Sequence, residues 1–525
     1  MEEEFSNHSN NESFEEVLNS YMSRRQMIVG GLAGAALSFM GGSKVSALTS
    51  NAPQVAAAAK KAKIGFTSIP LQLGAMPTIA PEYDYSVLIP WREKLDGSGK
   101  SFDYAGFTAE DQAKSIGIGH DGICYFGDNK KGMLCINHEY GTTPHIMGKA
   151  VPASLDDVKL SQTAHGVSVV MIENTKTGWK MVKSTNNRRI HGNTAVKFSG
   201  PAAKSDMLVN PAGNPMQGTL NNCANGETPW GTYLTCEENF NGYFGTNDKA
   251  WKPNTDQARY GLSAAGFGYE WHKFDARFDL SNAGYVNEIN RFGWVVEIDP
   301  NNPKQVPVKR TALGRIKHEG ATVVEGKDGR AVVYMGDDER FDYVYKFVSK
   351  DSWKKMIAAG KSPLDEGTLY VAKYNDNGTG EWLELSTKNP LLAGWSIDKI
   401  LVQTRIAADT VGATKMDRPE WGGVNPLNGE AYMTLTNNSN RVPVSSTPTG
   451  SQLKPDAANP RYYEDTYTNA DGSTRVNKGN PFGHIIRWKE DAANQAAVKF
   501  TWDIYLFGCI FFPADDVTKW VGLVN

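Results

Sequence analysis

The segment Gly231–Asn239 combines residue types that can bind metal ions. A short β-type run ends there in a thiol, two carboxylates and an amide, which belong to Cys236, Glu237, Glu238 and Asn239. Carboxylate and amide oxygens suit hard cations such as Ca²⁺, whereas a thiolate suits a transition metal. The segment therefore predicts a site for two kinds of metal, unless it is an ordinary hairpin end with exposed acids and a structural cysteine.

Oxygen-bearing side chains also stand at the ends of other apolar runs. Glu139 follows one run, and Asp338 with Glu339 follows another. Asn438 follows a third run, and Glu319 directly precedes a fourth. When several strands each deliver ligands at one end, the mouth of a propeller or barrel can hold a polynuclear metal site. The recurrence favours a metal centre over a set of unrelated turns.

A second block, Asp417–Trp421, adds a cation that can bind phosphate. The guanidinium of Arg418 can hold two phosphoryl oxygens in a fork, and its charge does not titrate away. Glu420 stands two residues further on. Without the other motifs, an exposed turn with a weak surface ion pair would be the better interpretation of this block. The sequence has neither a Gly-x-Ser-x-Gly elbow nor a Walker loop, which argues against a serine hydrolase and against an NTPase.

The elements that must position these residues are predicted to be mainly β-strands. The 525 residues include 52 Gly, 25 Pro, 21 Tyr, 21 Phe and 13 Trp, a mix that favours many short strands with tight turns. Short helices are predicted at residues 350–360 and 396–402. We predict an all-β fold, a propeller with irregular insertions. Because no strict repeat is visible, a pair of β-sandwiches remains open.

Together and in order, these segments resemble the PhoX family of alkaline phosphatases. The matching segments are Asn137–Tyr140, Asn186–Arg189, Ser199–Pro201, Gly231–Asn239, Lys317–Gly320, Tyr334–Arg340, Tyr343–Val348 and Asp417–Trp421. The resemblance implies a six-bladed β-propeller with a mixed iron and calcium centre. It also implies an enzyme that hydrolyses phosphate monoesters outside the cytoplasm and releases inorganic phosphate.

The resemblance assigns roles to individual residues. Cys236 is implied to be the thiolate ligand at an iron pair. Arg418 is implied to contact the phosphoryl group, with Glu420 beside it to orient the arginine or to serve the leaving oxygen. The amide oxygens of Asn239 and Asn438 are implied ligands of calcium. The implied carboxylate ligands of iron or calcium are Glu139, Glu237, Glu319, Asp338 and Glu339.

Two other classes of exported protein remain open. A propeller lactonase or esterase would use calcium alone and would not need Cys236 or the pair of Arg418 and Glu420. A non-catalytic propeller that binds ligands or partners would keep the strands but would need no iron. The metal content of the purified protein separates the three classes, because only the phosphatase combines iron with calcium.

The remaining cysteines and the histidines leave their roles open. The chain has five cysteines, so at least one has no partner within the chain. Cys124 and Cys135 could face each other across a hairpin, and the lack of a Cys-x-x-Cys spacing argues against structural zinc. His138 and His318 each precede a proposed ligand. They either orient that ligand or are packed, hydrogen-bonded residues.

The N-terminus is predicted to be an export signal. Ser23–Ile28, with its Arg24-Arg25 pair, resembles a twin-arginine signal, and Val45–Ala47 resembles a cleavage site. The apolar stretch between them is too short and too rich in glycine for a good membrane span. We predict a signal peptide at 1–47, a flexible linker at 48–62 and a phosphatase domain at 63–525. The twin-arginine machinery is then a partner, and the mature protein is periplasmic or secreted.

Charge and the chain's final segment complete the prediction. The net charge of −3 comes from 58 acidic and 55 basic residues and gives no indication of nucleic acid binding. Small phosphate esters are the expected ligands of a protein that we expect to be a monomer. The family normally continues beyond Asn525, so we expect a propeller that is incomplete at its C-terminus and has exposed strand edges.

Overall fold

The computed structural model of the chain describes residues 67, 69, 76–99, 104, 106–468, 473–511 and 521–523. The predicted signal peptide and linker lie outside the described residues. The chain divides into two units, residues 1–87 and residues 88–525. In the first unit the described backbone consists of turns and irregular segments, and the Thr67 amide donates a hydrogen bond to Glu82 Oε2 (2.9 Å).

Strands provide most of the regular structure of the second unit. They are β1 (His120–Gly127), β2 (Lys131–His138), β3 (Gly166–Thr175), β4 (Gly178–Met181), β5 (Arg188–Ile190), β6 (Lys197–Ser199), β7 (Asn222–Glu227), β8 (Tyr233–Glu237), β9 (Val295–Ile298), β10 (Val308–Arg310), β11 (His318–Glu325), β12 (Arg330–Asp337), β13 (Val344–Ser352), β14 (Gly367–Tyr374), β15 (Thr379–Glu384), β16 (Pro419–Val424), β17 (Ala431–Leu435), β18 (Tyr463–Thr468), β19 (Thr474–Gly479), β20 (His484–Glu490), β21 (Lys499–Phe507), β22 (Cys509–Phe511) and β23 (Val521–Leu523).

Short helices connect the strands. They are α1 (Ala109–Ala113), α2 (Thr143–Met147), α3 (Leu155–Ala164), α4 (Thr255–Arg259), α5 (Trp353–Ala358), α6 (Ile397–Val402) and α7 (Thr404–Val411). Side-chain caps fix where several of them begin: the Ser154 hydroxyl accepts a hydrogen bond from the Asp157 amide at the start of α3. Helices α5 and α6 confirm the two helices predicted from the sequence.

The strands form three main sheets. The first has the order β1-β2-β3-β4, with β5 also paired to β3, and the second has the order β6-β10-β9-β8-β7. The third sheet has nine strands in the order β11-β12-β13-β14-β15-β21-β20-β17-β16. Two-stranded ribbons pair β18 with β19 and β22 with β23. Among these pairs only β6 and β10 are parallel, so hairpins and meanders dominate the described chain.

The nine-stranded sheet nearly closes on itself. Its first five strands follow the chain, and β15 then pairs with β21 through Thr379–Glu381 and Lys499–Thr501. The last strand, β16, lies beside the first, β11, where Thr322 Oγ1 donates a hydrogen bond to the Gly422 carbonyl (2.8 Å). Curling the sheet in this way brings residues of β11 and β16 to the same place.

Apolar side chains fill the space between and within the sheets. The largest buried cluster includes Trp294, Val333 and Tyr345, and a second cluster within the nine-stranded sheet includes Trp382 and Trp488. These large side chains remove much apolar surface from water, which is the main favourable term in folding. The barrel-like sheet is therefore a packed support for the residues at its ends.

The prediction of an all-β fold is confirmed in part, because the described chain is mainly β but also contains short helices. The six blades of the predicted propeller are not seen as separate sheets, because one continuous sheet runs from β11 through β21 to β16. Across the described part of the chain, no helix is both long enough and apolar enough to cross a membrane.

Candidate metal centre

Acidic side chains and one thiol gather at a single place in the second unit. They form three groups, and within each group the candidate ligand atoms lie within 4.8 Å of one another. The groups are Asp121, Glu139 and Cys223; Cys223, Glu238 and Glu319; and Glu319, Asp338 and Glu420. Because Cys223 and Glu319 are shared, the three groups form one continuous cluster.

Three hairpins supply these residues from equivalent positions. In each hairpin one ligand is the second residue of the first strand, and another is the residue just beyond the end of its partner strand. The pairs are Asp121 and Glu139 on β1–β2, Cys223 and Glu238 on β7–β8, and Glu319 and Asp338 on β11–β12. On a fourth hairpin, β16–β17, Glu420 occupies the second-residue position.

An irregularity in the strand ladder accompanies each second-residue ligand. The register shifts after His120, Asn222, Glu319 and Pro419. Bulges of this kind bend a strand and re-aim its side chains, and they are frequent next to active sites. The four hairpin ends therefore turn their ligands towards one point instead of continuing the alternation of the strand.

The thiol of Cys223 lies between two carboxylates. Its Sγ lies 3.4 Å from Glu319 Oε1 and 3.6 Å from Asp121 Oδ2, and its single S–H can be donated to either oxygen. The Asn137 side chain holds the backbone here, because its Nδ2 donates to the carbonyls of Cys223 (2.6 Å) and Ala224 (3.0 Å). The first and second sheets are thereby joined directly at the proposed ligand.

The electrostatics of the cluster are those of anions packed together. Burial raises the pKa of the Cys223 thiol, and the carboxylate of Glu319 raises it further. Burial, followed by the neighbouring Asp121, raises the pKa of Glu139 to about 7. Burial and the neighbouring Asp338 likewise raise the pKa of Glu420 to about 7. Buried like charges disfavour ionisation unless a cation lies among them.

Arg418 is the cation that the chain itself places at the cluster. Its Nε and Nη2 donate to the two carboxylate oxygens of Asp338 (2.9 and 2.8 Å), and Nη2 lies 3.8 Å from Glu420 Oε1. Its backbone has a φ of +49°, which is uncommon for residues other than glycine. This bidentate contact fixes the plane of the guanidinium.

The residue before Arg418 anchors this conformation. The buried carboxylate of Asp417 accepts hydrogen bonds from Asn438 Nδ2 (2.7 Å), Arg441 Nε (2.7 Å) and Asn480 Nδ2 (3.1 Å). Strained backbone conformations persist where the surroundings determine them from several sides. The Asp417 network is such a surrounding for Arg418.

A cavity of about 740 Å³ opens over the cluster. Its lining includes the charged residues Glu139, Glu319, Arg418 and Glu420. The same lining includes the aromatic residues Tyr140, Phe267 and Tyr269. A cavity of this size, with a few convergent polar groups, has the dimensions of a small-molecule site.

The structure brings together most of the residues predicted from the sequence. Glu139, Glu319, Asp338 and Glu420 belong to the cluster, and Arg418 contacts it. Asn239 lines the same cavity. The remaining four predicted residues each have a different environment, for reasons that follow from strand geometry.

Cys236 belongs to none of the three groups and lies in the largest apolar core. It shares one face of β8 with Leu234, and both pack with Trp294 and Val295. The neighbouring Glu237 is fully buried, where it binds Lys309 Nζ (2.7 Å) and accepts from the Gly293 amide (3.0 Å). Successive side chains of a strand point to opposite faces, and only Glu238, just beyond the strand, reaches the cluster.

Glu339 and Asn438 also have other partners. Glu339 Oε2 binds Lys317 Nζ (2.8 Å), and Asn438 donates to Asp417. The histidines are packed and bonded elsewhere: His138 Nε2 bonds Ser168 Oγ (2.7 Å), and His318 Nε2 bonds the Gly314 carbonyl (2.8 Å). These contacts match the alternative in which the histidines are structural.

Three residues of the cluster were not among the ligands predicted from the sequence: Asp121, Cys223 and Glu238. The signal that would find them is the spacing of Asp121, Cys223, Glu319 and Glu420, which recur about 100 residues apart.

Cys124 and Cys135 do face each other in register on β1 and β2, and both are free thiols.

The fold and cluster define a class: a mainly β hydrolase whose strand ends surround an acidic, thiol-containing cavity. The family model for alkaline phosphatase PhoX matches residues 64–510, and the chain belongs to the PhoX alkaline phosphatase family. It is an alkaline phosphatase that hydrolyses phosphate monoesters. A calcium-only lactonase or a non-catalytic binding protein is not favoured.

A solved structure supports the same family. The chain is similar to Pseudomonas fluorescens PhoX in complex with vanadate, a transition state analogue, with 41% sequence identity and a TM-score of 0.74. The match covers 84% of this chain and 75% of that one. No curated protein matches the chain.

Proposed function

We propose that the cluster binds the metal ions of the phosphatase and that these ions are iron and calcium. The observation that carries the proposal is the position of Cys223, whose thiol lies among Asp121, Glu238 and Glu319 at ligand distances. Thiolates favour iron over calcium, whereas clustered carboxylates suit calcium. Cys223 therefore replaces Cys236 as the proposed thiolate ligand.

The donor set fits a group of cations. Six carboxylates and one thiol lie in the cluster, and Arg418 is the cationic side chain that contacts them in the described chain. Like charges a few ångströms apart repel strongly when they are shielded from water. Bound cations would remove this repulsion. They would also supply positive charge for the phosphoryl oxygens and acidify a water molecule.

Arg418 is proposed to hold the phosphoryl group. Asp338 uses the edge of the guanidinium formed by Nε and Nη2, which leaves the edge formed by Nη1 and Nη2 for a second fork. Arg418 lines the cavity and is only partly exposed. A phosphate ester that entered the cavity would thus meet a fixed cation, whose charge is the same in the ground state and the transition state.

Glu420 is proposed as a metal ligand that also orients Arg418. It lies with Glu319 and Asp338 in one group and 3.8 Å from the Arg418 guanidinium. Asn239 is kept as a proposed ligand of calcium because it lines the cavity. Glu237, Glu339 and Asn438 have buried or paired environments of their own, and we do not propose them as ligands.

Export and architecture remain part of the proposal. The twin-arginine pattern at Arg24 and Arg25, together with membership of the family, supports export by the twin-arginine machinery and a periplasmic or secreted location for a monomeric enzyme. The six-bladed propeller is supported by membership of the family.

The test compares two cysteines. Cys223→Ser and Cys236→Ser are purified in parallel, and iron and calcium per chain are measured together with the hydrolysis of p-nitrophenyl phosphate. We expect Cys223→Ser to lose iron and at least about 100-fold in turnover, because a hydroxyl is a poor ligand for iron. Cys236→Ser should keep both metals and lose only stability, since it puts a hydroxyl into an apolar core. Full iron in Cys223→Ser would refute the assignment.

A further inference from the structure

The cavity over the cluster is lined in part by aromatic side chains that are not needed for the hydrolysis of a phosphate ester. Phe267 is 59% exposed and Tyr140 is 50% exposed, and both line the cavity that contains the acidic cluster. Tyr269 lines the same cavity. These three residues are called the aromatic rim. Large apolar side chains that are exposed at a site often contact a ligand.

The backbone holds Phe267 at this position. Gly266 and Gly268 on either side have φ angles of +55° and +83°, which form a turn that presents the ring. The Phe267 amide donates to the Gly242 carbonyl (2.8 Å). A Cβ atom on Gly242 would lie 2.1 Å from Phe267 Cδ2, so the ring rests directly on this glycine.

The support of Phe267 is continuous with the cluster. Gly242 belongs to the short helical segment Phe240–Tyr243, which directly follows Glu238 and Asn239. Tyr269 stacks on Tyr243 with ring centroids 4.5 Å apart. The aromatic rim is thus fixed relative to the acids.

The dimensions of the cavity indicate what the rim contacts. A phosphoryl group bound at Arg418 fills only a small part of about 740 Å³, so the cavity also has room for the alcohol part of the ester. Flat rings stack on exposed aromatic side chains, and all of the nucleobases can do so because each has a π-face. Aliphatic alcohols gain much less from such a surface.

We infer that Phe267 and Tyr140 bind the alcohol part of the substrate by stacking, so that the enzyme prefers esters that carry an aromatic ring or a nucleobase. Nucleoside monophosphates are the natural esters of this chemical class. The inference rests on the proposed location of the active site. It adds a specificity determinant that takes no part in the chemistry of the phosphoryl group.

The test uses two alkyl phosphates that differ only in the base, adenosine 5′-monophosphate and ribose 5-phosphate. Phe267→Ala should lower kcat/KM for the nucleotide by roughly tenfold, mainly through KM, and should leave the sugar phosphate within about twofold. Phe267→Tyr should keep the preference. Phe274→Ala, an exposed phenylalanine outside the cavity, is the control and should change neither value.

Two results would overturn the inference: no loss for the nucleotide, or equal losses for both esters, which would indicate a structural role. Glu319→Gln separates this failure from that of the proposed site. It should abolish turnover of both esters, because Glu319 belongs to two of the three ligand groups. If Glu319→Gln kept turnover, the location of the active site would be wrong, whatever Phe267 does.

Discussion

Arg418 is fixed at the cavity from two directions. Asp338 holds its guanidinium with two hydrogen bonds, and the Asp417 network holds its backbone at a positive φ. An arginine that is already oriented loses little further freedom when it binds a phosphoryl group. Buried groups such as Arg441, which does not line the cavity, stabilise this conformation by binding Asp417.

The proposed role of Arg418 predicts that its positive charge and its forked guanidinium both contribute to turnover. Arg418→Ala should keep the metal content and lower kcat for p-nitrophenyl phosphate by about 100- to 1,000-fold, because a cation at the developing charge is missing. Arg418→Lys should recover part of that loss, since it restores charge but not the fork. Arg340→Ala, a partly exposed arginine outside the cavity, should behave like the wild type. Wild-type turnover in Arg418→Ala would contradict the role.

At the residue scale the sequence identified the kind of chemistry better than the individual ligands. Cys236 stands directly before two glutamates, and that adjacency favoured it as a ligand. The β8 strand instead points Cys236 into the core, and the two candidate ligands that this hairpin brings to the cluster are Cys223 and Glu238. Adjacency in sequence cannot reveal this, because neighbours on a strand face opposite ways.

At the element scale the site is a set of hairpin ends. Each main hairpin contributes one residue from its first strand and one from just beyond its second, and a bulge re-aims the first. Close contact between hairpins sets the distances between ligands. At Gly226 on β7, an added Cβ would lie only 1.9 Å from the Ala321 carbonyl oxygen on β11.

Gly226→Ala should therefore weaken metal binding at the cluster, although Gly226 is not one of the candidate ligands. The methyl group must push β7 away from β11, and with it Cys223 from Glu319. We expect a loss of about 1–3 kcal/mol in the free energy of unfolding and faster loss of iron to a chelator. Gly423→Ala on β16 has open space around it and should stay within about 0.5 kcal/mol of the wild type. Unchanged iron retention in Gly226→Ala would count against close hairpin packing as the determinant.

Strands and short helices could be predicted from turn residues and apolar runs, as α5 and α6 show. The sheet order could not be predicted, because the pairing of β15 with β21 joins segments that are far apart in the chain. Nor was the repeat of hairpins evident. The equivalent second-residue positions hold Asp121, Cys223, Glu319 and Glu420. These residue types differ although their places on the hairpins are the same, so the repeat is not visible as a repeated motif.

At the scale of the whole molecule, buried histidines make stability depend on pH. His165 is fully buried, and its Nδ1 donates to the Ser161 carbonyl (2.7 Å). Its Nε2 has no hydrogen-bond partner among the described residues. Protonation would add an unpaired N–H to the interior, so burial lowers the pKa of His165 to about 4.

This lowered pKa predicts a loss of stability in mild acid. The unfolded chain binds a proton at His165 below about pH 6.5, whereas the folded chain binds it only near pH 4. Stability from this residue is thus complete above pH 6.5, and about 3 kcal/mol is lost as the pH falls to 4. Denaturant titrations of wild type and His165→Gln should show a shallower pH slope for the variant. His145→Gln, at an exposed histidine, should keep the wild-type slope.

The near closure of the nine-stranded sheet has a consequence for the order of events during synthesis. Glu319 lies on its first strand and Glu420 on its last, and the run of paired strands that joins these two ends passes through β21, which ends at Phe507. A nascent chain on the ribosome would already carry every residue of the cluster before β21 had been made. The sheet that supports the cluster is thus completed only after the residues of the cluster themselves have been synthesised.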